Sequence, residues 1–294
     1  MKAEMKIALV TNKNLHHKYW IVEMNKLFNV EAIIHPENGN YLNRIKSKKI
    51  SRYGLFFLLL KLLSILYSKI SRKSLSKQNI FYEKLFFKKY DRLYDEIDNK
   101  KIFNIQTVNS QVANKIIYEK NIDIICFLGG EIAGKDFINS PNICTLNFHS
   151  GISPIYNGNK TLFHALSDLK PNFCGGTLMK MNERIDGGEI LSHYLVPIDG
   201  NDNQSSLYMK NFEGCLKLYK DYLNHGNFDA KGITQRKSFR YFRNIDWTIV
   251  NDIKLSYFNK KEMVKKFIRN ETIISYYKEN SKKNLLDLYD NILK

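Results

Sequence analysis

The stretch Ile143-Cys144-Thr145-Leu146-Asn147-Phe148-His149-Ser150-Gly151-Ile152-Ser153-Pro154 changes character at its middle. Its first half is an apolar run of buried-strand type, and its second half is a turn-forming run closed by Gly and Pro. Side chains at i and i+2 on a strand share a face. Asn147 and His149 therefore point one way and Phe148 points into the opposite layer. In an α/β sheet the crevice beyond the carboxyl ends of the strands is where ligands bind. An amide donor beside an imidazole at such an end can stabilise an oxyanion and move a proton. Taken alone, the same pair is also an ordinary structural hydrogen bond.

Working outward, the chain reads as alternating strand and helix. Lys6 to Thr11 and Val30 to Ile34 are buried-strand runs, with a helix over about Tyr19 to Phe28 between them. No G-x-G-x-x-G follows the first strand, which excludes the usual dinucleotide fingerprint and disfavours a nicotinamide dehydrogenase. His16 and His17, in the loop after that strand, are expected to be solvated. Ile122 to Leu128, followed by Gly129-Gly130, is a further strand, and Thr177 to Met181 and Ile190 to Val196 are two shorter ones. Asp186 lies between these last two in the glycine-bounded loop Arg184-Ile185-Asp186-Gly187-Gly188, where it can cap its own turn or be aimed at a neighbour. Ser205 or Ser206 is read as capping a helix to about Leu223, and Lys260 to Leu293 as a helical end.

Composition narrows the class. The chain has 294 residues, 44% hydrophobic and 26% charged, which excludes a disordered or collagen-like protein. Its four cysteines, Cys126, Cys144, Cys174 and Cys215, form no C-x-x-C pair, so buried thiols in a reducing cytoplasm are expected and no metal site is indicated. The beginning of the chain has no long apolar run of signal-peptide type. The net charge of +17 invites nucleic acid or an anionic membrane, yet +11 of it lies between Arg44 and Lys101, with 16 basic and 5 acidic residues. This segment, 41–101, reads as a helical insertion. Its run Tyr53 to Tyr67 is apolar at 12 of 15 positions, too short to span a bilayer, which needs about 20 apolar residues. A helix packed on the domain or on a second subunit is the first reading, with Phe56, Phe57, Leu59, Leu60 and Leu63 buried. A helix lying on anionic lipid is the second. Phe81 to Ile97 is read as a continuing helix.

Three stretches together resemble the folate-dependent formyltransferases, and within them the nucleotide-sugar enzymes. These are NFHSGISPIYNG (Asn147 to Gly158), GGTLMKM (Gly175 to Met181) and RIDGGEIL (Arg184 to Leu191), with His149 and Asp186 separated by 37 positions. The resemblance is good over about Ile122 to Val196. It implies a Rossmann-like α/β core with a mostly parallel sheet over residues 1–200, carrying the insertion, and a C-terminal extension over 201–294. It further implies N10-formyltetrahydrofolate as donor, a primary amine as acceptor and no metal. Asn147, His149 and Asp186 become the catalytic trio: Asn147 and protonated His149 would bind the oxyanion, while Asp186 would orient the imidazole and help relay the amine proton. Gly130, Glu131, Ile132, Ala133, Arg184 and Ile185 would line the folate pocket, with Ser150, Gly151 and Tyr156 on the acceptor side.

Asn157 stands where the family often has Arg and His164 where Trp is frequent, and His164 stays open between core and site. A tail fragment, Arg240 to Trp247, is reminiscent of nucleotide-sugar members. The resemblance thus points to a nucleotide-linked amino sugar in surface-polysaccharide (lipopolysaccharide) synthesis, in a cytoplasmic enzyme, homodimeric or peripheral to the membrane. A methionyl-tRNA-type formyltransferase and a non-catalytic membrane-associated protein on the same fold are the alternatives. Nucleic acid is the less favoured partner, because the basic excess adjoins an apolar run.

Overall fold

The computed structural model describes residues 5–37, 55–71, 74–235, 238–260 and 263–278. The apolar runs form the strands β1 (Ile7–Thr11), β2 (Val30–Pro36), β3 (Ile102–Ile105), β4 (Ile124–Leu128) and β5 (Cys144–His149), all parallel. The strands β7 (Gly175–Lys180), β8 (Glu189–Leu195) and β10 (Thr272–Ser275) extend the sheet antiparallel, in the order β10-β8-β7-β5-β4-β1-β2-β3. A two-residue strand β6 (Asn157–Gly158) pairs with β9 (Tyr241–Phe242) outside it. This is a mostly parallel, Rossmann-like sheet.

Both faces of the sheet are covered, which is why its central strands are apolar without alternation. Ile7 and Leu9 of β1 face a core with Trp20 and Met24 of α1 (Leu15–Leu27), which also takes in apolar residues further along the chain. Ala8 and Val10 face the other core. They meet Ala113, Ile116 and Ile117 of α5 (Gln111–Glu119) and Phe137 of α6 (Lys135–Ile138). Trp20 and Leu9 are fully buried, and side chains of this size contribute about 1.5–3 kcal/mol each on burial.

The insertion forms α2 (Leu55–Ile70), α3 (Leu75–Phe87) and α4 (Lys89–Asp95). The single helix expected over Phe81 to Ile97 is thus two, and residues 38–54 lie outside the description. The burial expected for this segment is corrected too. Phe56, Leu59 and Leu63 are exposed, while Phe57 and Leu60 are half-buried. Only the neighbouring elements decide which side of so apolar a helix is covered.

Past the sheet, α7 (Thr161–Ser167) follows β6, and α8 (Gln204–His225) crosses the face that carries α1. Its cap is Asn203, ahead of the expected serines: the Asn203 carboxamide accepts from Ser205 N (2.9 Å) and Ser206 N (3.1 Å). Ser206 returns the bond by accepting from Asn203 N through its hydroxyl (2.9 Å), closing a capping box. The tail is not the helix expected from Lys260: after α9 (Ile249–Lys260) a single-turn stretch leads to β10, which joins the sheet edge beside β8. Residues 279–294 of that expectation lie outside the description.

Candidate active site

At the carboxyl ends of β4 and β5 lies a cavity of about 290 Å³. Strand β4 leaves the sheet through Gly129 and Gly130, at φ +66° and +111°, conformations that favour glycine. The segment from Gly130 to Ala133 forms one wall, and the loop from Asn182 to Asp186 forms another. Asn147 and His149 open into the same space from β5, as their i, i+2 spacing requires.

His149 is nearly buried and held from both sides. Its Nε2 donates to the Tyr156 carbonyl at 2.9 Å, and its Nδ1 lies 3.5 Å from Asp186 Oδ1. The first contact assigns the Nε2 proton, because a carbonyl only accepts. The second is an ion-pair distance but long for a hydrogen bond, so Nδ1 is the nitrogen left to exchange a proton with the cavity. The Asn147 amide makes no hydrogen bond among the described residues.

Asp186 is placed by a scaffold that sequence reasoning did not anticipate. It adopts φ +49°, strained for a residue with a Cβ. Its Oδ2 accepts from Gly158 N (2.9 Å), and its carbonyl accepts from the Asn157 amide (3.1 Å), which also donates to Ser238 Oγ (2.7 Å). Asn157 is completely buried, so in this chain it positions the aspartate loop. Gly158 is required by its own neighbours: at φ +96°, a Cβ there would stand 2.0 Å from the Phe242 carbonyl oxygen. Thr177 ties down the turn after β5, donating to Gly151 O (2.6 Å) and accepting from Ser153 N (2.9 Å). Its place in the GGT stretch was the available signal.

The other predicted residues divide. Gly130, Glu131, Ile132, Ala133, Arg184, Ile185 and Ser150 all line the cavity. The Glu131 carboxylate is committed elsewhere, accepting from Thr107 Oγ1 (2.6 Å) and Val108 N (3.0 Å), so it braces the wall. The Arg184 guanidinium is likewise committed, tying its loop to a distant segment by donating to the Gln235 carbonyl at 2.9 Å. The backbone groups of Gly130, Glu131, Ala133 and Ile185, by contrast, make no hydrogen bond among the described residues. They line the cavity with their hydrogen-bonding capacity unused by the described protein groups.

Gly151 and Tyr156 are corrected: both are buried behind the cavity wall. The Tyr156 hydroxyl donates to Asp168 (3.1 Å), and its ring lies parallel to Phe242. His164 resolves to core. It stacks on Phe242 at 3.8 Å, and burial pushes its pKa down to about 4. His193 is fully buried behind His149, donating from Nε2 to Ser153 O (2.9 Å) and accepting at Nδ1 from Tyr276 (3.0 Å). Burial depresses its pKa to about 4 against the raising effect of the Ser153 bond.

His16 and His17, expected in solvent, are both buried because α1 begins at Leu15 and turns them inward. His16 Nδ1 pairs with Glu83 at 2.5 Å. His17 lines the cavity, and burial, with His16 and His35 nearby, holds its pKa well below the usual range. Among the described residues no cluster of metal-ligating side chains occurs.

Residues 82–219, which span β3 to β8 and most of α8, match the family model described as formyl transferase. A methionyl-tRNA formyltransferase of Listeria monocytogenes serotype 4a is 32% identical over 130 residues, covering 40% of this chain and 41% of that protein. The bifunctional polymyxin resistance protein ArnA of Wigglesworthia glossinidia brevipalpis is 29% identical over 133 residues, 40% of this chain and 20% of its own length. The chain thus spans well under half of the curated relatives it matches. Over nearly its whole length it shares a fold with a sugar N-formyltransferase from Shewanella. The TM-score is 0.50 with 18% identity, covering 85% of this chain and 86% of that one. The matched segment carries the strand ends, the Asn-x-His strand and the aspartate loop that build this cavity, so the similarity to the formyl transferase family falls on the site itself.

Proposed function

We propose that this protein is a folate-dependent N-formyltransferase of the cytoplasm. Its donor would be N10-formyltetrahydrofolate and its acceptor the primary amine of a nucleotide-linked amino sugar used in bacterial surface polysaccharides such as lipopolysaccharide. The observation that carries the reading is one cavity in which the unpartnered Asn147 amide and the His149–Asp186 pair, 3.5 Å apart, face a wall of unbonded backbone.

The donor, when bound, supplies an activated formyl carbon for the acceptor amine to attack. The Asn147 amide donates to the formyl oxygen as negative charge gathers there, an effect worth roughly 10²–10³ in rate for a single such donor. His149, fixed through Nε2 by the Tyr156 carbonyl, keeps Nδ1 for the second donor contact or for the proton in transit. Asp186, held by Gly158 and Asn157, orients that nitrogen and receives the amine proton on its way to the leaving nitrogen. The backbone from Gly130 to Ala133 and at Ile185 grips the donor's ring.

A sugar acceptor draws support from the fold shared with the Shewanella sugar N-formyltransferase. An aminoacyl-tRNA acceptor is the second reading, favoured by the Listeria relative and the +17 charge. Incubation with formyl-folate and a panel of nucleotide-linked amino sugars, aminoacyl-tRNA and simple amines tests both. Mass spectrometry should show the gain of one CO on an amino sugar. A gain on tRNA alone would replace this acceptor assignment, and no gain on any amine would overturn the reading.

A further inference from the structure

Helix α2 is built inside out. Lys61, Ser64 and Ser68, spaced i, i+3, i+7, form one stripe, and this polar stripe faces the protein. Lys61 donates to the carbonyls of Asn244 (2.8 Å) and Trp247 (2.7 Å), and Ser64 donates to Asp252 Oδ2 at 2.6 Å. Asp252 also accepts from Trp247 Nε1 (3.0 Å), so the contact is part of a buried network that fixes the helix's rotation. The apolar side chains are thereby turned to solvent. Leu55, Phe56, Leu59, Leu62, Leu66 and Ile70 range from 51% (Leu59) to 85% (Leu55) exposed. The neighbouring α3 adds exposed Ile80, Phe81 and Leu85. A contiguous apolar surface of this kind marks an interaction site.

The charge around it selects the partner. Residues 55–90 carry eight Lys or Arg and a single acid, Glu83, and Glu83 is already paired with His16. A second copy brought face to face would meet the same positive charge, whereas an anionic lipid surface complements it. Sixteen residues of helix measure about 24 Å along the axis. Among the described residues no helix is long and apolar enough to cross a membrane, so this helix lies on a surface. We propose that the exposed face of α2 and α3 docks the protein on an anionic bilayer, with the apolar side chains among the acyl chains and the flanking lysines at the headgroups.

Flotation of the full chain with phosphatidylglycerol-containing vesicles, against pure phosphatidylcholine vesicles, tests this. The protein should float with the anionic vesicles only. The variant Phe56→Glu/Leu59→Glu/Leu62→Glu should lose at least about tenfold in partition while keeping the wild-type thermal midpoint, since those side chains make no core. Absence of flotation, or flotation unaffected by the substitutions, would overturn the proposal. So would sedimentation showing a dimer that the same substitutions dissociate, because a second copy would then be the occupant of this face.

Discussion

The working detail of the candidate site is which nitrogen of His149 is free. The Tyr156 carbonyl takes the Nε2 proton, so Nδ1, beside Asp186, is the nitrogen left for chemistry. His149→Ala should slow turnover by roughly 10²–10³-fold while folate affinity changes little, because the slot proposed for the donor's ring is backbone. Turnover and folate binding measured together check this, and near wild-type turnover would remove His149 from the mechanism. His193 supplies a second test at the same scale. Its pKa falls from 6.5 unfolded to about 4 folded, so the unfolded chain binds the proton first. Its contribution to stability is whole above pH 6.5 and is lost as pH falls to 4, by on the order of 3 kcal/mol. Thermal midpoints across that window should fall less steeply for His193→Gln than for the wild type. His164, depressed to about 4 by burial, and His17 and His35, also lowered by burial, should sustain the remaining slope.

Among elements, the pair β6–β9 matters out of proportion to its length. Two residues of β6 hold the Asp186 loop from below, through the Gly158 N–H and the Asn157 amide. Gly158→Ala would drive a Cβ into the Phe242 carbonyl and force a side chain into φ +96°. We expect a loss of about 1–3 kcal/mol in unfolding free energy. Turnover should fall further than that loss alone explains, because Asp186 loses its partner. Asn157→Ala removes two hydrogen bonds in a fully buried place and should cost about 1–3 kcal/mol, with turnover reduced in the same direction. Denaturant unfolding and steady-state kinetics on both variants check these outcomes. A Gly158→Ala protein with unchanged turnover would show that Asp186 does not depend on β6.

For the whole molecule, the site joins segments far apart in the chain. The wall after β4, the end of β5 and the loop before β8 meet only in the folded sheet. A folate that binds there binds the native state alone. A stable analogue such as folinic acid, at about a hundredfold over its dissociation constant, should therefore add about 2.7 kcal/mol to stability. Thermal scans with and without the analogue measure it, and an unchanged midpoint at millimolar analogue would count against a folate site. The same ligand should protect amides of residues 129–133 and 182–186 from hydrogen exchange and leave α2 unaffected.

The sequence by itself determined six of the strands, β1, β2, β4, β5, β7 and β8, and the shared face of Asn147 and His149 at one sheet end, but not β3 or the edge strand β10. Those features follow from local patterns: unbroken apolar runs for strands buried on both faces, i, i+2 spacing for Asn147 and His149, and glycines bounding the Asp186 loop. Tertiary structure decided what depends on contacts between distant segments. Nothing near Asn157 shows that its amide reaches Asp186, 29 positions on, and nothing near Tyr156 shows that its carbonyl orients His149 while its ring turns from the cavity. His17 is turned inward by the start of α1, against the expectation for a polar loop. In α2 the local pattern pointed the wrong way. An apolar helix is expected to bury its apolar side, but Asp252 and the carbonyls near Trp247, almost two hundred residues away, take its polar stripe instead. Burial is a property of the pair of surfaces that meet, and a sequence pattern describes only one of them.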